Sequence, residues 1–135
     1  MSDSPVTYSL VDGTAVITMD DGKANAVSLA LQQGVNAALD RAEADGAVVV
    51  LTGRPGFLSA GFDLKTLAAS GQPAVDMLNG GIELAIRLLS HPAPVVIACP
   101  GHAIAMGVFL SLCGDYRIGV PVSYTHLTLP TTSRV

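Results

Sequence analysis

Charge is the first thing this chain is short of. Asp, Glu, Lys and Arg together make up 13% of its 135 residues, about half the usual share, while AVILMFWYC reach 50%. That much apolar surface has to be buried, in the chain's own core or against other subunits. Seven basic residues stand against eleven acidic ones, for a net charge of −4, and they form no Lys/Arg cluster; nucleic acid is therefore not an expected partner. The opening MSDSPVTY has no basic stretch leading into an apolar core, so no secretory signal is expected. The only two cysteines, Cys99 and Cys113, lack CxxC spacing and sit in apolar runs. They read as buried free thiols of a cytoplasmic protein, with no metal site and no disulfide. A P-loop and a G-x-G-x-x-G are both missing, so nucleotide-phosphate and NAD chemistry have no support. No serine lies in a G-x-S-x-G, and Ser111 is expected in the middle of a helix, which argues against a triad of Ser111, His102 and Asp115.

The same shortage of charge produces one long run, Leu88 to Gly114, with no Asp, Glu, Lys or Arg. Such a run first suggests a membrane span, but Pro100-Gly101 divides it. A proline ring inside a helix removes a hydrogen bond and clashes with the preceding turn, at ~3 kcal/mol or more. Val95, Val96 and Ile97 are β-branched and suit a strand covered on both faces. Ala103 to Cys113 reads as a helix stopped by Gly114. The unit is strand, Gly-containing loop, helix, and no membrane is expected as partner.

The rest of the chain follows the same logic. Val6, Tyr8 and Leu10 alternate, Asp12-Gly13 turns, and Ala15, Ile17 and Met19 alternate again, predicting a β-hairpin. Lys23-Ala24-Asn25-Ala26 is a small-residue loop. Ser28 caps a helix to about Ala44, with Leu31, Val35, Ala38, Leu39 and Ala42 on its buried face. Val48 to Leu51 is an apolar strand, and a loop to Ser59-Ala60-Gly61 precedes a short helix begun by Asp63. A long helix from about Ala74 to Ser90 is predicted to bury Val75, Leu78, Ile82, Ala85 and Leu89, with Gly80-Gly81 interrupting it and implying close packing or a bend. Glu83 and Arg87 have the spacing of a surface pair. Strands separated by helices predict a mainly parallel sheet, hence an α/β class.

One internal similarity carries the functional reading. VVVLTG from Val48 leads to SAG and a helix, and PVVIACPG from Pro94 leads to AMG and a helix. Parallel strands would bring both sets of N–H groups out at one end of the sheet. Two backbone donors converging on a point make an oxyanion hole, able to hold the negative charge that develops on a carbonyl oxygen. Taken alone the pattern is weak, since Ala-Gly at a helix start is usually a packing device. Asp63 and Asp115 read as an N-cap and a turn former, and His102 as a structural hydrogen-bonding residue.

VVLTG followed by FLSAGFDL, then PAPVVIACPGHAIAMGVFLSLCGDYRI, resembles the crotonase superfamily, the enoyl-CoA hydratase/isomerase family, from Val6 to about Val120. The resemblance implies a crotonase-like spiral of ββα units, truncated. It implies acyl-CoA thioester as the substrate class, with CoA as part of the substrate and no separate cofactor. It also implies a homo-oligomer, trimer or hexamer, for the full-length protein. The family's two oxyanion donors fall on Ala60 and Met106. Ala60, Gly61, Phe62 and Asp63 would line the thioester, and Leu58 with Lys23 to Ala26, Lys23 and Ala24 among them, would lie along CoA. Gly61 and Gly107 would permit close backbone approach.

The chain departs from the hydratase pattern where the family's first glutamate would stand: that position is Phe109. A phenyl ring cannot transfer a proton, so two-carboxylate hydration is in doubt, and an acyl-CoA-binding or scaffold role without turnover is the alternative. The last stretch, VSYTHLTLPT, resembles translated sequencing adapter. Residues 1–121 are accordingly expected to be the N-terminal part of a crotonase-like domain and residues 122–135 a non-native tail.

Overall fold

The computed structural model describes residues 4–121; the expectation of a non-native tail lies outside them. Asp12 and Gly13 both take positive φ, 50° and 79°, the geometry of a tight hairpin turn. They join β1 (Val6–Val11) to β2 (Thr14–Met19) in antiparallel register. Ser28 then caps α1 (Leu29–Ala44), its hydroxyl accepting from the Leu31 N–H, and the expected face of that helix is buried.

β3 (Val48–Thr52) runs parallel to β2, β5 (Val95–Cys99) parallel to β3, and β7 (Tyr116–Gly119) parallel to β5, giving a five-stranded sheet in the order β1-β2-β3-β5-β7. Partners in register point to the same side, so Ala15, Val49 and Val95 form one row and Ile17, Leu51 and Ile97 another. All six are buried, and Leu31, Val35 and Leu39 of α1 belong to the same core. The opposite face of β5 is only half-covered at Val96 and Ala98, so the strand predicted to be enclosed on both sides is sealed on one.

Between the strands lie β4 (Gly56–Ser59), α2 (Leu64–Ala69), α3 (Gln72–Leu89), β6 (Gly101–Ala103) and α4 (Met106–Leu112). The order is thus ββα three times, with α3 added after the second unit and β7 following the third. β4 and β6 form a separate two-stranded parallel ladder. Gly101 opens it, since a Cβ there would come within 2.2 Å of the Gly56 backbone. The helix predicted from Ala103 therefore starts only at Met106, because residues 101–103 are drawn into this ladder. β4, β6 and β7 are strands that the sequence pattern does not predict.

α3 corrects two expectations. Its buried residues are Ala74, Met77, Gly81, Leu84 and Leu88, one position from the predicted stripe; Leu78, Ile82 and Leu89 are exposed. The helix also runs unbroken through Gly80-Gly81. The reason is close approach: a Cβ on Gly81 would stand 2.6 Å from the Phe62 ring, and one on Gly80 would stand 2.1 Å from Gln32 Oε1. A helix with apolar residues on two adjacent strips turns the strip that can approach most closely toward its neighbours. Arg87 likewise ignores Glu83. It reaches across to α1, meeting Asp40 at 2.5 Å, Glu43 at 3.3 Å and the Asn36 carbonyl at 3.1 Å.

Among the described residues no helix is long and apolar enough to cross a membrane. Cys99 and Cys113 are free and buried, and burial raises both thiols above their ordinary pKa. The Ser111 hydroxyl donates to the Val108 carbonyl at 2.7 Å. The His102 ring stacks tilted on Phe57 at 5.6 Å, a ring contact where a hydrogen bond was expected. Asp115 sits at the bend before β7, its carboxylate accepting from the Val95 N–H at 2.8 Å and its own N–H donating to the Val95 carbonyl at 2.7 Å.

Candidate active site

Parallel β3 and β5, followed by parallel β4 and β6, deliver two turns to the same end of the fold. The first is Ser59-Ala60-Gly61 and the second Ala105-Met106-Gly107. Ser59 pairs with Ala103 in the small ladder, and the Ile104 N–H donates to the Ser59 carbonyl at 3.0 Å. The turns are pressed together to a degree that requires glycine. A Cβ on Gly107 would lie 2.3 Å from the Ser59 carbonyl oxygen. One on Gly61, whose φ is +97°, would lie 3.0 Å from Ala105 Cβ and 3.3 Å from the Met106 nitrogen. Ala105 is held at φ 53°, ψ −120°, a region that disfavours a residue with a Cβ and persists only where its surroundings fix it.

A third segment, the loop from Asp20 to Ala26, closes over the first turn. Asp21 organises it: its carboxylate accepts the N–H groups of Lys23 at 2.7 Å, Asn25 at 3.0 Å and Ala26 at 3.1 Å. Asn25 is fully buried at φ 56°. Its side-chain amide donates to the carbonyls of Met19 at 2.7 Å and Leu58 at 3.1 Å, while its Oδ1 accepts from the Asp21 N–H at 2.9 Å. The Ser59 hydroxyl donates to the Asn25 carbonyl at 2.6 Å and accepts from the Gly61 N–H at 3.1 Å. The Val27 N–H donates to the Gly61 carbonyl at 2.8 Å, and the Ala60 N–H to the Ala24 carbonyl at 2.9 Å.

These segments border an open cleft of about 540 Å³, whose lining includes Lys23, Ala24, Ala60, Gly61, Phe62 and Asp63. Lys23 and Ala24 of the loop and the whole stretch from Ala60 to Asp63, expected to bind substrate, thus meet at one surface. Lys65 joins Lys23 on the lining, and the Arg54 guanidinium donates to the Lys23 carbonyl. Met106 and Gly107 are buried directly behind Gly61. Among the described residues the Met106 N–H has no acceptor.

Leu58, expected along CoA, and Phe109, expected beside the substrate at the glutamate position, are placed differently. Leu58 is fully buried in the core, so its side chain cannot lie along a ligand; its carbonyl serves the loop instead. Phe109 projects from α4 with 60% of its surface exposed and does not line the cleft. Asp63 is the N-cap of α2, accepting from the Thr66 hydroxyl at 2.6 Å and the Thr66 N–H at 3.3 Å. The Thr66 side-chain hydrogen bond is the main influence holding its carboxyl below the usual range. The amide of Ala60 belongs to the turn after β4, since α2 begins only at Leu64. The sequence pattern does not single out Asp21, Asn25 or Ser59; only Asn25, between Ala24 and Ala26, stands as a polar residue between small ones.

Residues 10–123 match the family described as enoyl-CoA hydratase/isomerase. A probable enoyl-CoA hydratase of Rhodobacter capsulatus is 34% identical over 120 residues, which cover 87% of this chain and 47% of that protein. Among solved structures, an enoyl-CoA isomerase of Mycobacterium tuberculosis is 57% identical with a TM-score of 0.82, covering 87% of this chain and 51% of the other. An enoyl-CoA hydratase/isomerase family protein from Pseudomonas syringae is 50% identical with a TM-score of 0.85, covering 87% and 52%. The chain spans about half the length of these relatives. The ββα repeat with its paired glycine turns is the crotonase fold, and the chain belongs to the enoyl-CoA hydratase/isomerase family.

Proposed function

We propose that the cleft beside Ala60 and Gly61 binds an acyl-CoA thioester, and that the amides of Ala60 and Met106 hold the thioester oxygen as it takes on enolate charge. The observation that carries this reading is the seating of one turn against the other at Gly61, which leaves the Met106 nitrogen next to the cleft lining with its N–H unspent. A preorganised backbone donor aimed at a developing oxyanion is worth about 3 kcal/mol. The Ala60 N–H is already used by the Ala24 carbonyl, so the thioester oxygen has to share or displace that bond. Lys23 and Lys65 at the cleft suit the phosphates of CoA, and the whole fits a cytoplasmic enzyme of fatty acid metabolism.

Proton transfer is the open step of the mechanism. Phe109 stands where a hydratase carries a glutamate, and its exposed phenyl ring cannot move a proton. Enolate stabilisation therefore fits these residues, while double-bond migration, like hydration, needs a proton-transfer group other than Phe109. The second reading, thioester binding without turnover, is favoured by Phe109 together with the occupied Ala60 amide. The apolar faces at Ile82, Ile86, Leu89, Phe109 and Ile118 are exposed and suit association into a homo-oligomer, trimer or hexamer. Light scattering of the chain should give a mass above that of one copy, and a clean monomer would count against assembly.

Titration with acetoacetyl-CoA and with free CoA tests the site. The thioester, which forms an enolate readily, should bind at least tenfold more tightly, and its enolate absorbance should grow on binding. Equal affinity for the two ligands would overturn the oxyanion assignment.

A further inference from the structure

Ser59 touches all three segments around the cleft, and it does so from a fully buried position. Its hydroxyl donates to the Asn25 carbonyl of the 20–26 loop at 2.6 Å, and the same oxygen accepts the Gly61 N–H at 3.1 Å. Its backbone carbonyl accepts the Ile104 N–H at 3.0 Å, and Gly107 lies so close that an added Cβ would stand 2.3 Å from that carbonyl oxygen. A buried hydroxyl with donor and acceptor both used has one orientation available. The position is otherwise ordinary: Ser59 lines no part of the cleft and lies where a methyl side chain would fill much the same space.

We infer that Ser59 is a positioning residue, whose hydroxyl sets the spacing between the Ala60 and Met106 amides by tying the Gly61 peptide to the Asn25 loop while its carbonyl fixes the turn before Met106. This rests on the oxyanion reading of the site. The Ala60 amide has Ser59 on one side and Gly61 on the other, so the hydroxyl holds the flanking peptide in place. The carbonyl of Ser59 leads to Ile104, two residues before Met106. One residue therefore couples the geometry of both donors, its carbonyl through the second turn and its hydroxyl through the first, and loss of the hydroxyl lets the 60–61 peptide rotate without removing any group that meets the ligand. Oxyanion stabilisation falls off steeply with misplacement of about 1 Å, whereas contacts along the CoA moiety tolerate it.

The test compares Ser59→Ala with the parent chain, using acetoacetyl-CoA and free CoA as probes and thermal unfolding as a check on folding. Loss of the hydroxyl should weaken acetoacetyl-CoA about tenfold and diminish its bound enolate absorbance, with free CoA affinity unchanged. Ser59→Cys, which keeps a weak donor in the same place, should recover part of the enolate signal. Equal losses for both ligands would assign Ser59 a merely structural role and overturn the inference, and so would an unaltered thioester preference. A parent chain that does not prefer the thioester at all overturns the oxyanion reading itself, which separates that failure from failure of the Ser59 assignment.

Discussion

Replacing Asn25 by alanine should be among the most damaging single changes outside the apolar core. The side chain is fully buried and makes three hydrogen bonds, donating to Met19 at 2.7 Å and Leu58 at 3.1 Å and accepting from Asp21 at 2.9 Å. Alanine leaves two buried carbonyls without a donor, at about 1–3 kcal/mol each. The Asp21 amide is only part-buried, so water can replace that partner and it adds little. The backbone at φ 56° adds about 1 kcal/mol more, because asparagine tolerates the left-handed region and alanine does not. A loss of about 4 kcal/mol follows, a large share of a stability of roughly 5–15 kcal/mol. Urea unfolding followed by circular dichroism should show the midpoint falling by about 2 M, for a slope of roughly 2 kcal/mol/M. Asn25→Gly relieves the backbone strain but not the lost hydrogen bonds, so it should recover no more than about 1 kcal/mol. A midpoint within about 0.5 M of the parent for Asn25→Ala would refute the reasoning, since the loop would then not depend on this side chain.

Gly107→Ala forces a methyl to within 2.3 Å of the Ser59 carbonyl; overpacking against backbone costs at least about 1–3 kcal/mol, and a melting temperature equal to the parent's would contradict the turn-to-turn contact. Cys99 and Cys113 are buried, with pKa raised by that burial; they should react with a thiol reagent at neutral pH only after denaturant is added, and prompt labelling of the folded chain would be the contrary result. Asp63 has a depressed pKa through its bonds to Thr66, so its contribution is present above the unfolded value of about 3.9 and is lost as pH falls through the folded value. Asp63→Ala should therefore destabilise the chain by roughly 1 kcal/mol near neutral pH and by progressively less below about pH 4; a difference independent of pH would exclude the capping role.

What was legible in the sequence was whatever depends on local pattern. The hairpin needed only alternation around Asp12-Gly13, and α1 only a serine cap and one apolar face; both formed as read. The paired strand-to-turn units were legible because the second repeats the first, and their parallel strands bring Gly61 and Gly107 to one place. α3 was misread because Val75, Leu78, Ile82 and Leu89 are as apolar as the residues it buries; period alone cannot choose between two adjacent apolar strips. β4 and β6 are too short to show alternation, at four and three residues. Asn25 and Ser59 left no pattern because each acts on backbone distant in sequence: Asn25 on Leu58, and Ser59 back on Asn25.

The two glycines of α3 connect the misread helix to the site. In a helix interior each is disfavoured by roughly 1 kcal/mol relative to alanine, so their presence requires a return from packing. The missing Cβ of Gly81 lets the Phe62 ring come to within 2.6 Å of the place it would occupy, and the Met106 methyl to within 3.5 Å. Phe62 adjoins Gly61 in the first turn, and Met106 carries the unspent amide of the second. One bare spot on α3 therefore supports both turns from behind, while Ser59 and Asn25 hold them from the side. A side chain at Gly81 would have to displace the Phe62 ring, which lines the cleft. For this reason the strip of α3 that carries the glycines, though not its most apolar one, is the strip that faces inward.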